Sequence, residues 1–161
     1  MPTLIEHVLG NRLDSLEFEL GRLADPNARD ADGRTPLIHA AIDDRVEAAR
    51  ILLQAKADVD AQDRSGNSAL HYAAQEFHGE IGRLLVENGA TIDLEDMYGN
   101  TPLWRAVFNS RGRGEFIQLL LKAGADGNHC NKQGKTPVEL ARTIANFDVL
   151  KYLGRQEGQT Q

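Results

Sequence analysis

At residues 33–37 the chain reads Gly-Arg-Thr-Pro-Leu, and the same short phrase recurs three more times. The counterparts are Gly-Asn-Ser-Ala-Leu at 66–70, Gly-Asn-Thr-Pro-Leu at 99–103 and Gly-Lys-Thr-Pro-Val at 134–138. The four glycines are separated by 33, 33 and 35 residues. A period of this length indicates a stack of similar supersecondary units, because no such unit could bury its apolar face alone. Such stacks usually act through extended surfaces, so the repeat bears on function as well as on fold.

One repeat, residues 32–64, predicts two helices followed by a loop. Its Asp-Gly pair predicts a turn, since glycine tolerates a positive φ angle. Thr35 can cap a helix N-terminus, and Pro36 suits the first helical position, where a missing N–H costs nothing. Apolar residues spaced through 46–53 predict a second helix with one apolar stripe. The polar segment after it leads as an extended loop to the next turn.

The composition is that of a helical protein kept in a reducing compartment. The chain has 161 residues, of which 41% are hydrophobic and only 6% aromatic. The single cysteine, Cys130, excludes an intrachain disulfide framework. The first residues lack a basic segment followed by an apolar run, and no apolar stretch approaches the roughly 18 residues that span a bilayer. We therefore expect a cytoplasmic protein with no membrane partner.

The charge of the chain is unevenly distributed. Residues 1–97 contain 9 Lys and Arg against 19 Asp and Glu, a net charge of −10, whereas residues 98–161 contain 9 against 5, a net charge of +4. Two interpretations stay open: a chance scatter over solvated helices, or a polarised surface that orients a partner of complementary charge. The negative total of −6 argues against nucleic acid as a partner, which would need a basic stripe.

The sequence contains no recognisable catalytic motif. Gly-x-Ser-x-Gly, a phosphate-binding loop ending in Lys-Ser/Thr and His-Glu-x-x-His are all absent. His129 and Cys130 are adjacent, but further metal ligands at suitable spacing are missing. We therefore predict no catalytic residue, no metal and no cofactor, and hence no enzyme.

Other recurring motifs accompany the glycine phrase. They are Ala-Ala at 40–41 and 73–74, Leu-Leu at 52–53, 84–85 and 119–120, and the loop openings Ala-Asp-Val-Asp at 57–60 and Gly-Ala-Asp at 124–126. With these motifs the chain resembles the ankyrin repeat family over residues 3–153. The resemblance implies an all-α solenoid of stacked helix–turn–helix units with projecting β-turn loops. We expect an N-terminal cap at 1–31, repeats at 32–64, 65–97 and 98–132, a capping repeat at 133–153 and a disordered tail at 154–161.

Several positions depart from the family pattern or mark a special role. Lys56 stands where the family usually has the glycine that ends the second helix, and Gly127 stands where a valine usually packs. His71 keeps a histidine that in this family bonds neighbouring backbone, so we expect a structural role; Trp104 replaces it in the third repeat. The two extra residues of that repeat fall within 109–114, either as a tolerated loop extension or as a contact loop.

The resemblance also implies where a partner binds. In ankyrin stacks the loop tips and the outward side of each first helix form one concave face. Two residues after the Leu or Val of each phrase, His39, Tyr72, Arg105 and Leu140 would form one ladder across it. The predicted contact residues are Asp32, Arg34, His39, Arg64, Asn67, Tyr72, Glu76, Met97, Tyr98, Asn100, Trp104, Arg105, Phe108, Lys132 and Lys135. The aromatic residues and Met97 among them suit an interface hot spot, although Trp104 and Phe108 could instead pack inside the stack.

The leading hypothesis is a non-enzymatic, monomeric module that binds another protein. A narrower alternative, by analogy with compact ankyrin proteins, is a bacterial immunity or antitoxin protein that occludes the active site of a toxin. A small-ligand or enzymatic domain is the alternative of a different class, and turnover by the purified chain would reveal it. Loss of the partner's activity on binding would separate an inhibitor from an adaptor.

Overall fold

The computed structural model describes residues 3–144 and 147–153, with the side chains of 147 and 148 left out. Over these residues it contains ten α-helices and no strand. The helices are α1 Leu4–Leu9, α2 Leu13–Gly21, α3 Pro36–Ile42, α4 Val46–Gln54, α5 Ala69–Glu76, α6 Gly79–Glu87, α7 Pro102–Asn109, α8 Glu115–Lys122, α9 Pro137–Thr143 and α10 Phe147–Leu153. The tail predicted at 154–161 lies outside the described residues.

The helices form five consecutive pairs that stack in two layers. Within each pair the first helix packs on the second, as α3 does on α4 and α5 on α6. First helices contact first helices along the chain from α1 to α9, and second helices contact second helices from α2 to α10. A continuous core of Leu, Ile, Val and Ala runs between the layers. The prediction of an all-α helical solenoid is confirmed.

The predicted caps begin the first helices. The hydroxyl groups of Thr35, Thr101 and Thr136 each accept a hydrogen bond from the N–H three residues later, and proline follows each threonine. These caps satisfy backbone donors that a helix N-terminus otherwise leaves unpaired. None of the helices in the part of the chain that the structure describes is long and apolar enough to cross a membrane.

His71 has the structural role that the sequence predicts. Its ring is buried, and Nδ1 accepts a hydrogen bond from the Ser68 N–H. Its Nε2 lies 3.1 Å from the carbonyl oxygen of Asn100, which can only accept. The imidazole is therefore neutral with its proton on Nε2, and it ties the second repeat to the third. Burial lowers the pKa of His71 to about 4.

The second helices end in the left-handed region, which favours glycine. Lys56 has a φ angle of +65°, and the equivalent Gly89 and Gly124 have φ angles of +85° and +97°. Lysine at this position therefore carries backbone strain that glycine does not. Gly127 is different: a Cβ atom there would meet Val138 and Leu153 at 3.4 and 3.8 Å, which is ordinary van der Waals contact.

The extra residues of the third repeat lie between its two helices, as predicted. Residues 110–114 join α7 to α8, whereas residues 43–45 and 77–78 suffice in the two preceding repeats. Gly114 is buried against the ring of Tyr152 on α10, so closely that any side chain at 114 would overlap the ring. The extension is thus anchored by packing on the last helix.

Replacing Lys56 by glycine should stabilise the fold. Because the Lys56 side chain is exposed, the change relieves the positive φ angle without loss of packing. We expect the free energy of unfolding in urea to rise by about 0.5–1 kcal/mol. The matched control is Gly89→Ala in the next repeat, which should lower it by a similar amount although the new Cβ meets no atom within 4 Å. A destabilised Lys56→Gly variant would contradict the strain argument.

The neutral state of His71 should make stability depend on pH. Between its ordinary pKa of 6.5 and the folded value of about 4, the unfolded chain binds a proton that the folded chain excludes. Stability should therefore decline as the pH falls through this window, by roughly 1–3 kcal/mol from this group. In His71→Gln, urea unfolding at a series of pH values should lack this component. Parallel pH profiles of the two proteins would contradict the assignment.

Candidate protein-binding surface

Each loop between repeats is closed around one polar side chain, three residues before the glycine of the phrase. In every loop its Oδ1 accepts hydrogen bonds from the N–H groups two and four residues later. Its own N–H donates to the carbonyl of the fourth residue. The residues are Asp30, Asp63, Asp96 and Asn131. One side chain thus supplies the hydrogen-bond acceptor for two backbone N–H groups of the loop tip, which projects towards solvent.

The remaining carboxylate oxygen of each aspartate binds the predicted ladder residue nine positions further on. The pairs are His39 Nε2 with Asp30 at 2.8 Å, Tyr72 Oη with Asp63 at 2.7 Å, and Arg105 Nη2 with Asp96 at 2.6 Å. Leu140, nine residues after Asn131, cannot form this bond. The polar ladder residues therefore hold each loop tip against the first helix of its own repeat.

Two arginines extend these bonds between repeats. Arg34 of the first full repeat lies over the ring of Tyr72, with 5.6 Å from Cζ to the ring centroid, and its Nε is 3.9 Å from Asp63. Arg105 also donates to Oδ1 of Asn67 at 3.2 Å. Neighbouring loops are further joined through their backbones. In each case a backbone N–H donates to a carbonyl of the preceding loop: Arg64 to Asp32, Met97 to Ser65 and Lys132 to Tyr98.

Burial and hydrogen bonding set the protonation of this network. Burial raises the pKa of Tyr72, and its hydrogen bond to Asp63 raises the pKa further, so the hydroxyl remains a donor. Burial alone would raise the pKa of Asp96, but the N–H groups of Asn100 and Tyr98 and the Arg105 guanidinium hold it below the ordinary value. Asp96 therefore stays ionised and can serve all its donors.

The prediction that two particular residues contact a partner is corrected, because both residues are buried. Asn67 and Asn100 are only 9% and 6% exposed. The Asn100 amide donates to Asp96, and its oxygen accepts from the Asn131 side chain. The oxygen of Asn67 accepts from Arg105. Their amides are used inside and between loops, so we withdraw them as partner contacts.

Exposed apolar side chains remain in the third repeat and at Met97 just before it, and we call Met97, Tyr98, Trp104 and Phe108 the aromatic surface. Met97, Tyr98 and Phe108 are 49%, 53% and 55% exposed. Trp104 is half-buried and stacks on Phe108, with ring centroids 5.4 Å apart and planes inclined by 13°. Phe108 therefore lies at the surface rather than inside the stack. The ring of Tyr98 projects from a loop whose backbone is fixed on both sides.

Charged side chains differ between the two ends of the loop row. In the first tip Asp32 is exposed and lies 3.6 Å from Arg34, and Arg64 is exposed in the second. In the last tip Lys132 and Lys135 are exposed, and Lys132 Nζ donates to the carbonyl of Met97 at 2.8 Å. Glu76 is exposed at the end of α5. Lys132 thus adjoins the aromatic surface.

The pair His129 and Cys130 does not form a reactive unit. His129 Nε2 binds Glu95 at 2.8 Å, and Cys130 is exposed with its Sγ 3.8 Å from the carbonyl of Asn128. Within residues 3–144 and 147–153, no group of three or more His, Cys, Asp and Glu side chains is arranged to hold a metal ion.

Sequence reasoning missed the four loop-closing residues, although a signal was present. Asp30, Asp63, Asp96 and Asn131 repeat at the same 33-, 33- and 35-residue intervals as the glycines. An aspartate that precedes a glycine turn by three residues is typical of a side chain that bonds backbone two and four residues on. What the spacing alone did not reveal is the second bond, to the first helix.

Comparisons with known proteins agree with this architecture. A family model described as "Ankyrin repeats (3 copies)" matches residues 4–96. A second model, described as "Ankyrin repeat", matches residues 98–132. No curated protein matches the chain.

Replacing Asp96 by asparagine should weaken the third loop without abolishing its turn. Asn131 shows that an amide oxygen can accept the two N–H bonds, but the ion pair with Arg105 would be lost. We expect the free energy of unfolding at pH 7 to fall by about 1–3 kcal/mol. Asp32→Asn is the control, because the exposed Asp32 contacts only Arg34 by charge, and it should change stability by less than about 0.5 kcal/mol. Equal effects of the two substitutions would refute the proposed role of Asp96.

Proposed function

The chain belongs to the ankyrin repeat family, whose members generally act as protein–protein interaction modules, and we propose that it binds a partner protein through its loop tips and first helices. In this proposal the chain is a monomeric, non-enzymatic binding module. The single observation that carries it is the aromatic surface. Large apolar side chains that are exposed on a rigid support mark sites of protein contact.

The support beneath the aromatic surface favours binding. Asp96 accepts the Tyr98 N–H, the Tyr98 carbonyl accepts the Lys132 N–H, and the Met97 carbonyl accepts Lys132 Nζ. A backbone held in this way loses little further freedom when a partner binds, so more of the contact energy appears as affinity. Tyrosine and methionine beside lysine also reproduce the apolar centre and polar rim of stable interfaces.

The contacts divide into two groups in this proposal. Met97, Tyr98 and Phe108 contact the partner, while exposed charges such as Lys135 and Asp32 orient it. His39, Tyr72 and Arg105 instead position the loops, since their polar atoms are already bonded to Asp30, Asp63 and Asp96. Because Lys132 adjoins the aromatic surface and Lys135 is exposed in the same loop tip, the partner should place acidic groups next to its apolar contact.

A partner purified with the tagged protein from its source cells and identified by mass spectrometry provides the test. Tyr98→Ala and Phe108→Ala should each weaken its affinity, measured by calorimetry, by about tenfold or more. Both side chains are more than half exposed, so the melting temperatures should change by no more than about 2–3 °C.

Phe18→Ala is the matched control, because Phe18 is an exposed aromatic residue on the second helix α2, away from the proposed surface. It should leave the affinity unchanged. Unchanged affinity in both test variants would exclude the aromatic surface as the contact. Assaying the partner's own activity in the saturated complex then separates the roles: loss of activity identifies an inhibitor, as an immunity protein would be, and retained activity identifies an adaptor.

A further inference from the structure

A second site lies away from the loop tips, between the second helices of two neighbouring repeats. It is a cavity of about 220 Å³ between α6 and α8. Phe77, Phe116 and Leu119 form its apolar lining, and Arg83 and Arg113 bring guanidinium groups to it. None of these residues belongs to the loop tips or first-helix positions proposed above to contact a partner.

Two glycines of α6 explain why the cavity exists. A Cβ atom at position 82 would lie 2.5 Å from the ring of Phe116, so glycine allows this ring to rest on the helix backbone. At position 79 a Cβ would meet only the Arg83 guanidinium, at 3.9 Å, which leaves open space beside the ring. Glycine in a helix interior is unfavourable by about 0.5–1 kcal/mol relative to alanine, so Gly82 has a cost that packing of the Phe116 ring offsets, whereas Gly79 is the first residue of α6.

The extension of the third repeat places a cation against an aromatic wall of the cavity. Phe77 has a φ angle of +64°, which is rare for an aromatic residue, and its ring meets Phe116 edge-on at 6.1 Å. Arg113, from the extension, lies over the Phe77 ring with 4.1 Å from Cζ to the centroid. Its Nε donates to the carbonyl of Ser110, which fixes the guanidinium in place.

The charges at the cavity favour an anionic ligand group. Neither Arg83 nor Arg113 forms an ion pair with a carboxylate of the described residues. Glu115 also lines the cavity, so the two guanidinium groups outweigh one carboxylate. Helices α6 and α8 begin beside the cavity without a side-chain cap, and Glu80 and Glu115 in their first turns offset the partial positive charge of these N-termini. The preference for an anionic group therefore rests on Arg83 and Arg113.

The size of the cavity limits what can occupy it. Pockets that enclose cofactors or drug-sized ligands measure about 300–1,000 Å³, and this one is smaller. This volume is closer to that of one large side chain than to that of a cofactor. We propose that the cavity anchors an aromatic side chain of a partner protein, flanked in that partner's sequence by acidic residues that pair with Arg83 and Arg113. This site goes beyond the proposed function, because it provides a separate contact on the second-helix side.

The probe is the peptide acetyl-Glu-Phe-Glu-amide, titrated into the full-length ¹⁵N-labelled protein and followed by NMR. Saturable shifts should appear at the amides of Gly79, Arg83 and Arg113. Two control peptides separate the contributions of ring and charge. Acetyl-Gln-Phe-Gln-amide lacks the carboxylates and acetyl-Glu-Ala-Glu-amide lacks the ring, and each should bind at least about fivefold more weakly.

Variants of the protein complete the experiment. Arg83→Gln should weaken the affinity for the probe peptide by at least about fivefold. Arg50→Gln, at the equivalent position of α4, should leave that affinity unchanged. Gly79→Leu should fill the cavity and abolish binding while the melting temperature stays the same or rises. Shifts scattered outside the cavity, equal binding of all three peptides, or unaltered binding to Arg83→Gln would each overturn the proposal.

Discussion

The fold depends on one interaction, the hydrogen bonding of the loop-closing side chain that precedes each glycine turn by three residues. A projecting loop has backbone groups that neither helix can satisfy, and an unpaired polar group is costly once it is buried. Asp63 and Asp96 resolve this by accepting two backbone N–H groups with one oxygen and a first-helix side chain with the other. The turn and the helix are thereby locked together, and the stacked loops can pair through their backbones.

This constraint also determines which residues are available for recognition. The ladder that sequence reasoning assigned to the partner, including Tyr72 and Arg105, uses its polar atoms on the loop carboxylates instead. A partner that displaced those bonds would leave a buried carboxylate without its donor. The proposed function therefore assigns recognition to exposed side chains on a supported backbone, and Tyr98 and Phe108 meet that condition.

The fold could be predicted from short sequence patterns. The burial of individual side chains and the cavity could not, because they depend on contacts between residues of different repeats. The helix starts at Thr35 and Thr101 follow from cap residues and a fixed period, so they could be predicted. The departure at Lys56 and the structural role of His71 were implied by the resemblance to the family, and the structure adds the positive φ angle of Lys56. The burial of Asn100 could not be predicted, because its side chain bonds Asp96 and Asn131, which belong to two different loops. The cavity beside Gly79 was likewise invisible, since its ring from Phe116 comes from the next repeat.

The break in the period shows why two surfaces can coexist on one repeat. The extra residues lie between α7 and α8, and the loop bond from Lys132 N–H to the Tyr98 carbonyl, at 3.0 Å, matches those of Arg64 and Met97 in the earlier loops. The extra residues therefore lengthen only the connection between α7 and α8, and the pairing of the loop tips is unchanged. The extension places Arg113 over Phe77 without disturbing the support of Tyr98. Because the loop pairing is unchanged by the extension, the third repeat can carry Tyr98, Trp104 and Phe108 of the aromatic surface together with Arg113 and Phe116 of the cavity.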